Sequence, residues 1–200
     1  MKVLVIGATG TIGRAVAEAL RAEHEVVSAA RGSGDVRVDI ASPHSLRDLF
    51  GQVGRVDAVV SCTGSAAFKP LDQRSDEDFA FSLSNKLMGQ VNVIRLGLEH
   101  VADGGSITVT SGVLSQEPAP GTSAISLVNA GLEGFARAAA LDAPRGIRIN
   151  VVSPPWVSET LQAMGRDPAG GLPAAIVAHA YVDAVSGAFN GQVLDARKYA

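Results

Sequence analysis

The chain has 200 residues, with 17 Lys and Arg against 20 Asp and Glu and a formal net charge of −3, so it offers no basic surface of the kind that neutralises a nucleic-acid backbone. Apolar residues make up 46% and aromatics 4%, a mixture that suits helices packed closely on a buried sheet within one domain spanning 1–200. Cys62 is the single cysteine, which excludes an intrachain disulfide or a paired-cysteine metal site and fits a reducing, cytoplasmic setting; no apolar run approaches the ~20 residues that span a bilayer, and no export segment precedes the first strand.

In chain order, short β-branched runs predict strands at Lys2 to Ile6, Glu25 to Ala29, Val36 to Asp39, Asp57 to Ser61, Ser106 to Thr110, Arg148 to Val152 and Gln192 to Asp195. Amphipathic stretches between them predict helices at Thr11 to Glu23, Pro43 to Gly51, Ser75 to His100, Thr122 to Asp142 and Pro173 to Phe189. This alternation is that of an α/β protein, a Rossmann-type doubly wound parallel sheet of about seven strands in three layers. Trp156 to Leu172, with Gly165, Gly170 and Gly171, reads either as a loop covering a ligand or as a plain surface connection.

The turn Gly7-Ala8-Thr9-Gly10-Thr11-Ile12-Gly13 follows the first strand directly and opens a helix that carries Ile12, Val16 and Leu20 on one face. Small residues there let a pyrophosphate approach backbone N–H groups at a positive helix end, the requirement of a dinucleotide site. The second strand ends in Ala30-Arg31, where an acid would serve the ribose of NAD. A guanidinium instead pairs with a 2′-phosphate, so Arg31 with Ser33 points to NADP(H) ahead of NAD(H), with Asp35 the competing ribose ligand. The four histidines, at 24, 44, 100 and 179, have no ligand spacing, and no metal site is expected.

In these motifs the chain resembles the short-chain dehydrogenase/reductase family over nearly its whole length. Asp39-Ile40 matches the family's adenine-contacting position, Ser61-Cys62-Thr63-Gly64 its turn after the fourth strand, Ser111 its serine after the fifth, and Asn150-Val-Val-Ser-Pro154-Pro155 its Asn-x-x-x-Pro-Gly run. Val157 and Thr160 fall where the family meets the nicotinamide amide and the phosphates, and Asn190 to Asp195 looks like its closing strand. The resemblance implies cofactor contacts from Gly7, Thr9, Gly10, Thr11, Ile12, Gly13, Arg31, Ser33, Asp39, Ile40, Cys62, Thr63, Gly64, Pro154 and Val157.

The departure lies in the chemistry. Counting back from Ala130-Gly-Leu-Glu-Gly-Phe135 places Asn129 and Ile125 where the family has the lysine and tyrosine of its Tyr-x-x-x-Lys pair, and the only tyrosines are Tyr181 and Tyr199. Lys86 stands in the stretch where the family carries an active-site asparagine, so lysine and asparagine look exchanged. On a helix Phe79, Leu83, Lys86 and Gln90 share a face, and Lys86 either snorkels to solvent or enters the active-site volume, where desolvation lowers its pKa. The implied catalytic set is Ser111, donating a hydrogen bond to a carbonyl, with Lys86 and Asn129. The implied function is an NADP(H)-dependent oxidoreductase acting on a small carbonyl or alcohol; the alternative is an inactive NADP(H)-binding sensor or partner subunit. Cys62 reads as a small buried apolar residue and Trp156 as pocket or core. The two long helices match those by which the family forms homodimers and homotetramers.

Overall fold

The computed structural model describes residues 1–200. Seven parallel strands form one sheet in the order β3-β2-β1-β4-β5-β6-β7. They are β1 (Lys2–Ile6), β2 (Glu25–Ala30), β3 (Val36–Arg37), β4 (Val56–Ser61), β5 (Val101–Thr110), β6 (Arg148–Ser153) and β7 (Val193–Asp195). The helices are α1 (Thr11–Arg21), α2 (Pro43–Val53), α3 (Asp76–Ser82), α4 (Met88–Gly97), α5 (Ser123–Asp142), α6 (Ser158–Ala163) and α7 (Ala174–Ser186). None is long and apolar enough to cross a membrane.

The central strands are continuous apolar runs because both faces are covered. On one face α2, α4 and α5 bring Leu46, Leu49, Phe50, Ile94 and Leu132 against Leu4, Ile6, Val59, Ile107 and Ile149. On the other, α1 and α7 bring Val16, Leu20, Val177 and Tyr181 against Val3, Val5, Ala58 and Val60. The doubly wound, three-layer expectation therefore holds. The strand order reverses direction between β1 and β4, so connections leave these neighbours toward opposite sides and open a crevice at their carboxyl ends.

Local signals explain the helix starts. Ser42 caps α2 by accepting from the Ser45 N–H at 3.3 Å, with Pro43 in its first turn. Ser75 and Asp78 form a reciprocal capping box at α3. In contrast, Gly10 precedes α1 with no side-chain cap at all.

Three expectations are corrected. Ser75 to His100 is not one helix: a π-turn over Leu83–Leu87 separates α3 from α4. The wider turn breaks the shared face, leaving Leu83 37% exposed while Lys86 and Gln90 are buried. Trp156 to Leu172 contains α6 and a short 3₁₀ turn at Pro168–Gly170, with its ends tied by a bridge between Val157 and Leu172. The third strand stops at Arg37, so Asp39 lies beyond it in the bend that leads to α2.

Phe50 is fully buried, stacks on His100 with ring centroids 5.2 Å apart, and fills the space above Gly97. Phe50→Ala is expected to cost about 3–5 kcal/mol of stability, read as a lower urea midpoint at unchanged slope.

Candidate functional site

The glycine turn is shaped by close approach. A Cβ on Gly13 would lie 2.0 Å from the Gly7 carbonyl oxygen, so only glycine lets α1 seat directly on the end of β1. Gly7 has φ +85°, and a Cβ there would meet the Cys62 carbonyl oxygen at 2.8 Å, which holds the turns after β1 and β4 together. Gly10 differs: a Cβ would meet only the Gly7 oxygen, at 3.4 Å, so its other side is open. The first-turn N–H groups of α1 have no side-chain cap and face this opening with the positive end of the helix, a cradle that fits an anionic pyrophosphate.

Beside this cradle runs a cleft lined by Gly7, Thr9, Gly10, Arg31, Asp39, Ile40, Cys62 and Thr63, all expected from the sequence, and by Ser65 and Asn85, which were not. Ser65 is pinned by its N–H donating to Asn85 Oδ1 at 2.7 Å. Thr11, Ile12 and Gly13 form the first turn of α1 behind the cleft wall, and exposed Ser33 stands outside it. Gly64, at φ +120°, lies against the Lys86 stem, where a Cβ would be 3.0 Å from Lys86 Cγ. Val157 is buried ahead of α6 and bridged to Leu172.

The two candidates after β2 separate. Asp35 Oδ2 accepts from the Ser28 N–H at 2.8 Å and from Ser28 Oγ at 2.7 Å, folding its carboxylate back onto β2. These bonds, the backbone one first, hold its carboxyl below the usual range. Asp35 is thereby a loop anchor outside the cleft wall, and of the two Arg31 lines the cleft with Gly10.

A second, smaller cleft adjoins at the ends of β5 and β6, lined by Ser111, Gly112, Ile125, Asn129, Pro154, Trp156 and Phe68 among others. Trp156 stacks obliquely on Phe68 at 5.9 Å, with the Arg166 guanidinium 5.3 Å from its ring. Ile125, expected from the sequence at the tyrosine position, lies in the cleft wall. Asn129 is 1% exposed; its Nδ2 donates to the Gly112 carbonyl oxygen at 3.3 Å, and its Oδ1 has no partner although buried. An orphaned acceptor in a cleft wall is the kind of group that a ligand hydroxyl completes.

Lys86 is buried at 7% exposure, its Nζ 3.4 Å from both the Thr110 and Ser111 carbonyl oxygens. Burial without a counter-ion pulls its pKa down to about 8. The snorkelling alternative is excluded: Lys86, Ser111 and Asn129 converge on Thr110-Ser111-Gly112. The Ser111 hydroxyl donates to Glu133 Oε1 at 2.9 Å. Glu133, 3% exposed, also accepts from Ser115 Oγ at 2.7 Å.

Sequence reasoning passed over three further groups here. Gln90 clasps the Thr110 backbone, donating to its oxygen at 2.7 Å and accepting from its N–H at 2.8 Å. Thr110 Oγ1 donates to the Ser61 oxygen at 2.6 Å, so the fully buried Tyr181, 2.8 Å away, is the donor of that second bond. Burial lifts the Tyr181 phenol well above its ordinary pKa, and burial likewise pushes the Cys62 thiol up to about 12, in keeping with an inert small residue. Glu133 carried a signal: it continues the four-residue spacing of Ile125 and Asn129 along one line of α5.

A family model described as enoyl-(acyl carrier protein) reductase matches residues 7–187. The chain is similar to the crystal structure of a protein from Listeria innocua, with 43% identity, TM-score 0.94 and 98% of each chain covered. It is similar to a small-chain dehydrogenase solved in complex with NADPH, with 26% identity, TM-score 0.84, and 98% of this chain and 95% of that one covered. Among curated proteins, a hydroxynaphthalene reductase of Aspergillus fumigatus is 29% identical over 150 residues, which is 70% of this chain and 55% of that protein. Eight curated relatives are spanned by the chain over 47% to 72% of their length.

The Asp35 anchor has a pH signature. With its folded pKa depressed below the unfolded value, its contribution is present above that value and lost as pH falls. Asp35→Asn is expected to lower the melting temperature at neutral pH and to shrink the fall between about pH 5 and pH 3, measured by thermal melts across that range.

Proposed function

Because the chain belongs to the short-chain dehydrogenase/reductase family, we propose that it is an NADP(H)-dependent oxidoreductase acting on a small carbonyl or alcohol through a rearranged active site. The observation that carries this reading is the buried amine of Lys86 at the carboxyl end of β5, with a pKa near 8 and no acidic partner. When bound, the nicotinamide supplies hydride exchange with a carbonyl or alcohol carbon. The chain supplies the rest. The α1 N-terminus, Gly7, Thr9 and Gly10 hold the pyrophosphate, Arg31 with Ser33 the 2′-phosphate, Asp39 and Ile40 the adenine, and Cys62, Thr63, Gly64, Pro154 and Val157 line the path toward the second cleft.

Behind the Ser111 wall of that cleft Lys86 exchanges a proton near neutral pH, in place of the absent tyrosine. Two of its ammonium protons are aimed at the Thr110 and Ser111 carbonyls, which leaves the third for a ligand or a water. Asn129 offers its unpartnered Oδ1 to a ribose or substrate hydroxyl. Exposed Phe81, Met88, Leu127 and Leu141, on α3, α4 and α5, support assembly as a homodimer or homotetramer. A lone cysteine fits work in the cytoplasm.

The non-ionisable Ile125 and Asn129 favour one competitor, an NADP(H)-binding sensor or partner subunit without turnover. Fluorescence titration with NADPH and NADH, followed by absorbance assays of NADPH oxidation with aldehydes, ketones and quinones, separates the two. Tight NADPH binding without consumption by any of them selects the sensor. Tighter binding of NADH than NADPH would sink the Arg31 assignment. Arg31→Ala is expected to weaken NADPH about tenfold while leaving NADH nearly unchanged.

Lys86→Met is expected to keep NADPH binding and lower kcat for carbonyl reduction about 100-fold. In the unmodified protein kcat should fall as pH rises through about 8 and the ammonium is lost. The variant's residual rate should lack that fall, read from rates measured across the range.

A further inference from the structure

Asn85 lines the first cleft, and the cofactor contacts set out above leave it without a task. It is half-buried and sits in the π-turn directly ahead of Lys86, so two successive residues serve different places: Lys86 the carbonyls at the end of β5, Asn85 the first cleft. The two ends of its amide are not equivalent. Oδ1 accepts the Ser65 N–H at 2.7 Å, and because a backbone N–H needs an acceptor, the oxygen must face Ser65 and the NH₂ must face away. Nδ2 donates to nothing within the chain. The turn after β4 is held against the π-turn twice, by that bond and by the approach of Gly64 to the Lys86 stem, which gives the amide a fixed place in the cleft wall.

The rest of the lining is unevenly supplied. Arg31 and the first-turn N–H groups of α1 suit phosphate oxygens, and Asp39 brings an acceptor whose Oδ1 already takes the Ala41 N–H at 3.0 Å. Ile6, Ala30, Val38 and Ile40 are apolar. Of the neutral donors, the hydroxyls of Thr9, Thr63 and Ser65 rotate, whereas the Asn85 N–H groups are fixed in direction by the bond at Oδ1. A purine nucleoside matches this lining, with apolar ring faces and neutral acceptors at its ring nitrogens and ribose oxygens. We propose that Asn85 is a cofactor-binding residue whose Nδ2 donates to a neutral acceptor on the adenosine half, while its Oδ1 keeps the turn after β4 in place. This rests on the first cleft being the cofactor site, as proposed above.

The test is the affinity of the full chain for adenosine, measured by ligand-observed NMR, beside that for NADPH, measured by fluorescence. Adenosine is uncharged, so a carboxylate placed in the cleft does not repel it as it would a phosphate. Asn85→Asp keeps an oxygen for the Ser65 N–H and has no N–H to give, which separates the two duties of the side chain. Adenosine is expected to bind this variant about fivefold more weakly, the size of one neutral hydrogen bond lost. Asn85→Ala, which also releases Ser65, should lose at least as much, and matching melting curves confirm that each variant folds. Unchanged adenosine affinity in either variant overturns the proposal, as does an unmodified chain that binds NADPH but not adenosine. A chain that binds neither compound overturns the cofactor reading itself, whereas NADPH binding with unchanged adenosine affinity in Asn85→Asp overturns the role of Asn85 alone.

Discussion

The proton on the Thr110 hydroxyl is the small fact on which the three layers meet. It goes to the Ser61 carbonyl on the neighbouring strand, so the oxygen that carries it must accept from Tyr181, which rises from the opposite helical layer. The Thr110 backbone, meanwhile, extends beyond the end of β4 and is completed by the Gln90 side-chain amide instead of by a strand. One residue is thus held by β4, α4 and α7 together, with no buried backbone group left over. This rigidity fixes the carbonyls of Thr110 and Ser111, and those carbonyls in turn hold Lys86. Positions at the carboxyl end of β5 inherit their geometry from that clasp.

The frame was legible in the amino-acid order because its causes are local. A run such as Lys2-Val-Leu-Val-Ile6 announces a doubly covered strand, and three glycines spaced around a strand-to-helix turn announce a close approach that coordinates express as 2.0 Å between a hypothetical Gly13 Cβ and the Gly7 oxygen. The π-turn was not legible. Nothing in Leu83-Ser-Asn-Lys-Leu87 breaks a helical pattern, and the close approach of the Lys86 stem to Gly64, where a Cβ would be 3.0 Å from Lys86 Cγ, exists only in the assembled fold. The fold-back of Asp35, the competing ribose candidate, was not legible for a related reason: its partner, Ser28, sits seven residues back across a turn whose path no periodicity records. Glu133 and Tyr181 are separated by 22 and 71 residues from the hydroxyls they meet, so their significance exists only once the sheet is assembled.

The carboxyl end of β5 gathers groups that would each be costly alone. A lysine without a counter-ion, a carboxylate served only by hydroxyls and an amide oxygen without a donor lie around a short segment of chain, Thr110 to Gly112. Burying such groups opposes folding unless something is gained. The cost is offset by the two apolar clusters that flank the sheet. Natural chains tolerate this kind of local expense where chemistry needs it.

The π-turn has a consequence of phase. One additional residue in a helical circuit advances every following side chain by about 100° relative to an uninterrupted α-helix. Downstream of Leu87, the face that α4 turns toward the sheet is therefore set by that single step, and with it the inward aim of Gln90 onto Thr110. Leu83, where the turn begins, is 37% exposed. A chain shortened by one residue between 83 and 87 could keep its composition and hydropathy almost unchanged, yet would rotate its lysine and glutamine out of register with β5. In this sense the carboxyl end of β5 is written in an angle as much as in residue types.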